Sequence, residues 1–148
     1  MGAMMTPFRD TPLKLHIEQR LDVYSAANHG QAFYLSGGSG PDPVFEKMVL
    51  ETYGQAGYIL GRNETHFFDG SATVQGQIAK ISSAKLSIGA GMWAGGQRGT
   101  SRLDFGPRAD IRVPVATASA RVAVDWRARI AGAARPVSGL TLTISTGF

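Results

Sequence analysis

Apolar and polar side chains alternate along nearly the whole chain. The clearest case is "SRLDFGPRADIRVPV", residues 101–115. There Leu103, Phe105, Ala109, Ile111, Val113 and Val115 are interleaved with Arg102, Asp104, Arg108, Asp110 and Arg112. A period of two puts successive side chains on opposite faces of a pleated strand. The first run, "LKLHIEQRLDV", sets Leu13, Leu15, Ile17, Leu21 and Val23 against Lys14, His16, Glu18, Arg20 and Asp22. A weaker second run is "GQAFYLSG", residues 30–37, and a third covers about 46–60, with Lys47, Glu51 and Gln55 on its polar side. The fourth, "FFDGSATVQGQIA", opposes Phe68, Ala72, Val74 and Ile78 to Asp69, Ser71, Thr73, Gln75 and Gln77. The fifth is "AKLSIGAGMWA", and residues 101–115 are the sixth. The seventh, "ASARVAVDWRARIA", sets Val122, Val124, Trp126 and Ile130 against Arg121, Asp125, Arg127 and Arg129. The eighth, "GLTLTISTGF", sets Leu140, Leu142, Ile144 and Phe148 against Thr141, Thr143 and Ser145.

The pattern predicts about eight strands and no helix. Turn-like breaks separate them: "SGGSGPDP", "GRNETH", "GGQRGTS" and "ARPVSG". Every connection is too short for a parallel crossover, so the expected fold is an all-β, antiparallel up-and-down β-barrel. Residues 1–11 are expected as an N-terminal tail and 12–148 as the single barrel domain. Charge suggests a register. A turn at Ala116-Thr117 brings Arg108 opposite Asp125 and Asp104 opposite Arg129. A slip by one pair in one direction opposes like charges, which is unfavourable; a slip in the other keeps some opposite pairs.

Alternation does not say which face is inside. In a soluble barrel or sandwich the apolar face is the core. In a membrane barrel it meets lipid, and the polar face lines the lumen. Several features predict the membrane type. The runs are long enough for tilted transmembrane strands of about 9–11 residues. Polar faces carry ionic pairs of both signs beside small residues, as a narrow lumen requires, because an enclosed charge needs a partner. Counted back from the C-terminus, connections read long, short, long, short, with the Gly/Pro-rich link near 37–45 as an exception. Bacterial barrels have short periplasmic turns and longer outer loops. Phe148 ends the last run on its apolar side. The competing soluble reading, an eight-stranded barrel or sandwich binding a small ligand, must fill its core from faces rich in alanine and poor in large aromatics, which packs poorly.

Composition narrows the function classes. The 148 residues carry a formal charge of +4, but arginines alternate with aspartates, so no nucleic-acid footprint is expected. There is no cysteine, which excludes disulfides, thiolate metal sites and a cysteine nucleophile. No stretch approaches the roughly 20 apolar residues of a membrane helix. "MGAMMTPFRDTPLKLH" lacks the continuous apolar core of a signal peptide. A cytosolic chain, a processed mature form and a fragment of something longer all fit that.

The C-terminal third adds a resemblance. "LSIGAGMWAGGQRGTSRLDFGPRADIRV" and "VAVDWRARIAGAARPVSGLTLTISTGF" resemble the final strands of large bacterial outer-membrane proteins that carry tetratricopeptide repeats before a C-terminal barrel. Phage-adsorption receptors and exopolysaccharide-export proteins are the familiar members. "TPFRDTPLKLHIEQRLDV" looks like an internal strand of that barrel. The resemblance implies a bacterial outer-membrane location, membrane lipid as a partner, recognition of Phe148 by the outer-membrane assembly machinery, and a polysaccharide or phage as a further partner. It also implies that the chain is the C-terminal part of a larger barrel, or a truncated product whose eight strands could close by themselves. The expected role is a non-enzymatic anchor or conduit with no cofactor.

The candidate functional residues are a lumen-facing ionic network: Arg102, Asp104, Arg108, Asp110, Arg112, Arg121, Asp125, Arg127 and Arg129, with Glu18 and Arg20. The histidines His16, His29 and His66 have no metal-ligand spacing. A third reading, a lipid-modifying outer-membrane enzyme, draws on His16 with Glu18, or on His66 near Asp69 and Ser71. His29 and His66 are expected in loops. Trp93, Tyr53 and Tyr58 are expected at girdle or lumen positions, and Trp126 on the apolar face.

Overall fold

The structure, a computed structural model, describes residues 2–5, 12–20, 30–61, 64–115 and 118–147. It is one antiparallel sheet of nine strands whose spatial order is their chain order. These are β1 (Gly2–Met5), β2 (Leu13–Arg20), β3 (Gly30–Phe45), β4 (Met48–Gly61), β5 (Thr65–Ile81), β6 (Ala84–Gln97), β7 (Thr100–Val115), β8 (Ala118–Gly132) and β9 (Gly139–Gly147). The eight expected runs are β2 to β9. The ninth strand is β1, which lies in the expected N-terminal tail and pairs with Leu15–Glu18 of β2. Leu21, Asp22, Val23, His29, the Ala116-Thr117 turn and Phe148 lie outside the described residues.

Three expectations change. The sheet is not a closed barrel: β1 and β9 stand at opposite edges and are not paired. The "SGGSGPDP" break is strand. β3 runs through it with irregularities at Ser39/Asp42 and Pro43/Phe45, where the ladder to β4 skips residues. A bulge absorbs the extra residues without ending the strand, which is why Gly and Pro misled there. The long connection expected after the fifth run is a two-residue turn, Arg98-Gly99, with φ of 53° and 74°. Positive φ at both positions is the hairpin turn whose twist matches that of the strands it joins.

Connection lengths therefore differ between the two ends of the sheet. At one end the strand bounds leave 6–12 between β1 and β2, then two residues each at 46–47, 82–83 and 116–117. At the other they leave 21–29, 62–64, 98–99 and 133–138. The exception near 37–45 disappears. The C-terminal end of β9 lies at the short-turn end.

The sheet is strongly curled. Strands β4 and β8 are four steps apart, about 19 Å at the usual spacing near 4.8 Å on a flat sheet. Yet Glu51 of β4 touches Arg121 of β8 at 2.5 Å. Even extended, the two side chains fall short of the flat span, so the strands must wrap round toward each other. Gly106 permits close approach inside that curl: a Cβ there would lie 1.7 Å from the carbonyl oxygen of Trp126.

The concave face is polar and the convex face apolar. Asp104, Asp110, Asp125, Gln75, Thr65 and Thr73 are buried, whereas Ala32, Trp93 and Ala123 are the buried apolar residues among those described. Leu142, Ile144, Leu140, Trp126 and Phe105 lie about half or more exposed on the convex side. The usual order of a soluble fold is thus inverted.

Candidate functional site: a buried ionic network on the concave face

The β7–β8 ladder sets the network. Asp104 pairs with Arg129 and Arg108 with Asp125, the register that charge predicts. Alternation then places Arg102, Asp104, Arg108, Asp110 and Arg112 of β7, and Arg121, Asp125, Arg127 and Arg129 of β8, on one face. They gather into three clusters along the two strands.

In the first, Arg102 Nε donates to Asp104 Oδ2 at 2.6 Å, and Arg129 Nε lies 3.8 Å from Asp104 Oδ1. Arg129 also donates to the carbonyl of Pro136 in the β8–β9 connection. In the second, Asp125 is fully enclosed between Arg108, at 2.8 Å, and Arg127, at 3.2 Å. In the third, Arg121 donates to Asp110 Oδ2 at 2.9 Å and to Glu51 Oε2 at 2.5 Å, and Arg112 donates to Glu51 Oε1 at 3.1 Å. Gln75 of β5 completes this cluster. With its amide nitrogen toward Asp110, its oxygen accepts from Arg121 at 2.6 Å.

Burial explains the pairing. An aspartate removed from water is tolerable only when guanidinium groups replace its hydration. Each of Asp104 and Asp125 therefore sits between two arginines. Six guanidiniums share four carboxylates in these clusters, so the wall keeps a positive excess. Arg127 spends part of that excess on Trp93, stacking 4.4 Å from its ring centroid. The indole itself lies over Gly91, where a Cβ would come within 2.5 Å of it. Trp93 thus lies on the concave face, which Tyr53 shares, and Tyr58 and Trp126 are convex.

Glu18 and Arg20 belong to a different neighbourhood on β2. Glu18 accepts a 2.6 Å hydrogen bond from Tyr34 of β3. The Tyr34 ring stacks on His16 at 4.3 Å and packs edge-on to Phe67 at 5.9 Å. His16 Nε2 is 2.8 Å from Ser36 Oγ. Arg20 pairs through its backbone with Gly30.

Sequence reasoning named Glu51, Gln75 and Trp93 but left them out of the network. Glu51 and Gln75 carried the signal of polar residues on the same alternating face as their neighbours. What sequence could not give was the curl that brings β4 and β5 over β7 and β8. His66 is placed differently from expectation: it lies in β5 rather than in a loop, opposite Tyr58. Odd and even positions of that strand face apart, so His66 points away from Asp69 and Ser71, which do not form a site with it. Among the described residues no group of acidic or histidine side chains is placed to hold a metal.

Comparison with protein-family models, curated proteins and solved structures finds no match for this chain.

Proposed function

We propose that this chain is a bacterial outer-membrane β-barrel element, non-enzymatic, that anchors its protein in lipid through the convex face. One observation carries the reading: the two faces are inverted relative to a soluble fold. Leu142 and Ile144 stand 60% and 70% exposed, while Asp125 is at 0%. Apolar area left in water forgoes about 25 cal/mol per Å², and a contiguous convex face of that kind calls for a covering phase. Hydrocarbon supplies it. The end carrying the connections 46–47, 82–83 and 116–117, where β9 also ends, would then be periplasmic. The unpaired edges favour further strands, as the resemblance to larger barrels implies, because lipid tolerates no open edge.

The tight curl and the packed ion clusters favour an anchor over a wide conduit. A role in polysaccharide export or phage adsorption rests on the resemblance of the C-terminal strands.

The test is insertion. The unfolded chain, diluted into vesicles of short-chain phosphatidylcholine, should gain strand signal and protease protection. Leu142→Arg should weaken insertion by about 2–4 kcal/mol if it lies near the bilayer centre. A monodisperse, folded monomer in buffer without lipid or detergent would refute the reading. The 2.8 Å Ser36–His16 contact favours a second reading, a lipid hydrolase. Covalent labelling of Ser36 by a fluorophosphonate, lost in His16→Ala, would establish it.

A further inference from the structure

We propose that the concave face at the short-turn end binds a phosphate-type oxyanion. Four cations stand side by side there on four neighbouring strands. Lys80 of β5 pairs with Lys85 of β6, Lys85 with Arg112 of β7, and Arg112 with Arg121 of β8. Residues paired in this way share a face, so all four side chains rise on the concave side about 4.8 Å apart. Like charges directly opposite each other on neighbouring strands repel. Counter-charge relieves that repulsion.

The protein supplies counter-charge to half of the row. Glu51 accepts from both Arg112 and Arg121, and Asp110 takes the other arm of Arg121. Among the described residues Lys80 and Lys85 have no carboxylate within ion-pair distance. Lys47, in the β3–β4 turn, is a third such ammonium beside them. A recess of about 200 Å³ opens between Lys47, Lys85, Arg112 and Arg121, with Glu51 and Asp110 also lining it beside Gln77 and Ser87, so its four cations outnumber its two carboxylates. That is room for an oxyanion group, smaller than the roughly 300–1,000 Å³ of a drug-sized site. Ammonium groups act as point charges toward phosphate, while the neutral amide and hydroxyl donate to its remaining oxygens. The inference is independent of what covers the convex face, since every group in it lies on the concave one.

The test uses the full chain in non-ionic detergent, titrated calorimetrically with inorganic pyrophosphate at fixed ionic strength. Saturable binding is expected. Lys47→Gln with Lys85→Gln should weaken it at least tenfold, and Lys85→Arg should retain it. Lys14→Gln, on β2, should leave it unchanged, which separates a site from net charge. Far-UV circular dichroism checks that each variant keeps its strands. Micelles doped with phosphatidic acid tell the sources apart: competition assigns the group to a lipid headgroup, and unchanged affinity to a soluble solute. Absence of saturable binding, or equal loss in the Lys14 and Lys47/Lys85 variants, overturns the proposal.

Discussion

The two walls of the concave face solve the same problem with different chemistry. The β7–β8 wall is ionic: Asp104, Asp110 and Asp125 are buried and each is met by at least one arginine. The β2–β3 wall is aromatic and largely neutral: His16 stacks on Tyr34, and Ser36 and Glu18 close the hydrogen bonds. Enclosed charge demands a partner at a fixed distance, so the ionic wall specifies register. A stacked ring tolerates sliding far better. The difference teaches that β7 and β8 define how the sheet is paired and curled, while β2 and β3 fill space against it.

The sharpest way to break that contrast is Asp125→Ala. It leaves Arg108 and Arg127 facing each other with their carboxylate gone. Removing one partner of a buried pair typically costs about 3–5 kcal/mol, because the remaining charge stays enclosed. Chemical unfolding in the medium where the chain folds reversibly should show that loss. The charge swap, Arg108→Asp with Asp125→Arg, tests register separately. It should recover part of the loss, since the two positions stay opposite. No recovery would mean that the pair does not define the ladder.

Glu51→Gln comes next. Glu51 tethers β4 to β7 and β8 by accepting from Arg112 and Arg121. Hydrogen bonds to charged groups contribute roughly 1.5–3 kcal/mol, and Glu51 is partly open to solvent, which puts the expected loss at the low end. A cysteine pair on β4 and β8 reporting distance by spin labels should also widen. Stability lost without widening would show that the curl comes from the backbone alone.

The register of β7 and β8 was legible because a turn at 116–117 sets Arg108 against Asp125 and Asp104 against Arg129, although it also opposes Arg112 to Arg121. Strand positions followed from the period of two, and β4 to β9 begin and end within a few residues of the expected runs. The extension of β3 through Gly37–Pro43 was not legible, because glycine and proline mark both turns and bulges. Nor was the Arg98-Gly99 hairpin, whose flanking Gly95 and Gly96 belong to β6 and not to a loop. Burial of the polar face was predicted from the ionic pairs. The meeting of Glu51 with Arg121 was not, because alternation fixes which way a side chain points and says nothing of how far the sheet bends.

On the neutral wall the effects should be smaller. Tyr34→Phe removes the 2.6 Å hydrogen bond to Glu18 and leaves the ring stacked on His16. A single hydrogen bond contributes about 0.5–1.5 kcal/mol net, somewhat more when the acceptor is ionised. The expected cost is therefore about 1–2 kcal/mol, well below that of Asp125→Ala. The stacking should survive, so a histidine ring-proton resonance shifted by Tyr34 should keep its position in Tyr34→Phe and lose it in Tyr34→Leu. If Tyr34→Phe proves as damaging as Asp125→Ala, the two walls do not differ in the way their chemistry implies. The phenol would then be a register-setting group in its own right, with Glu18 as the enclosed charge it serves.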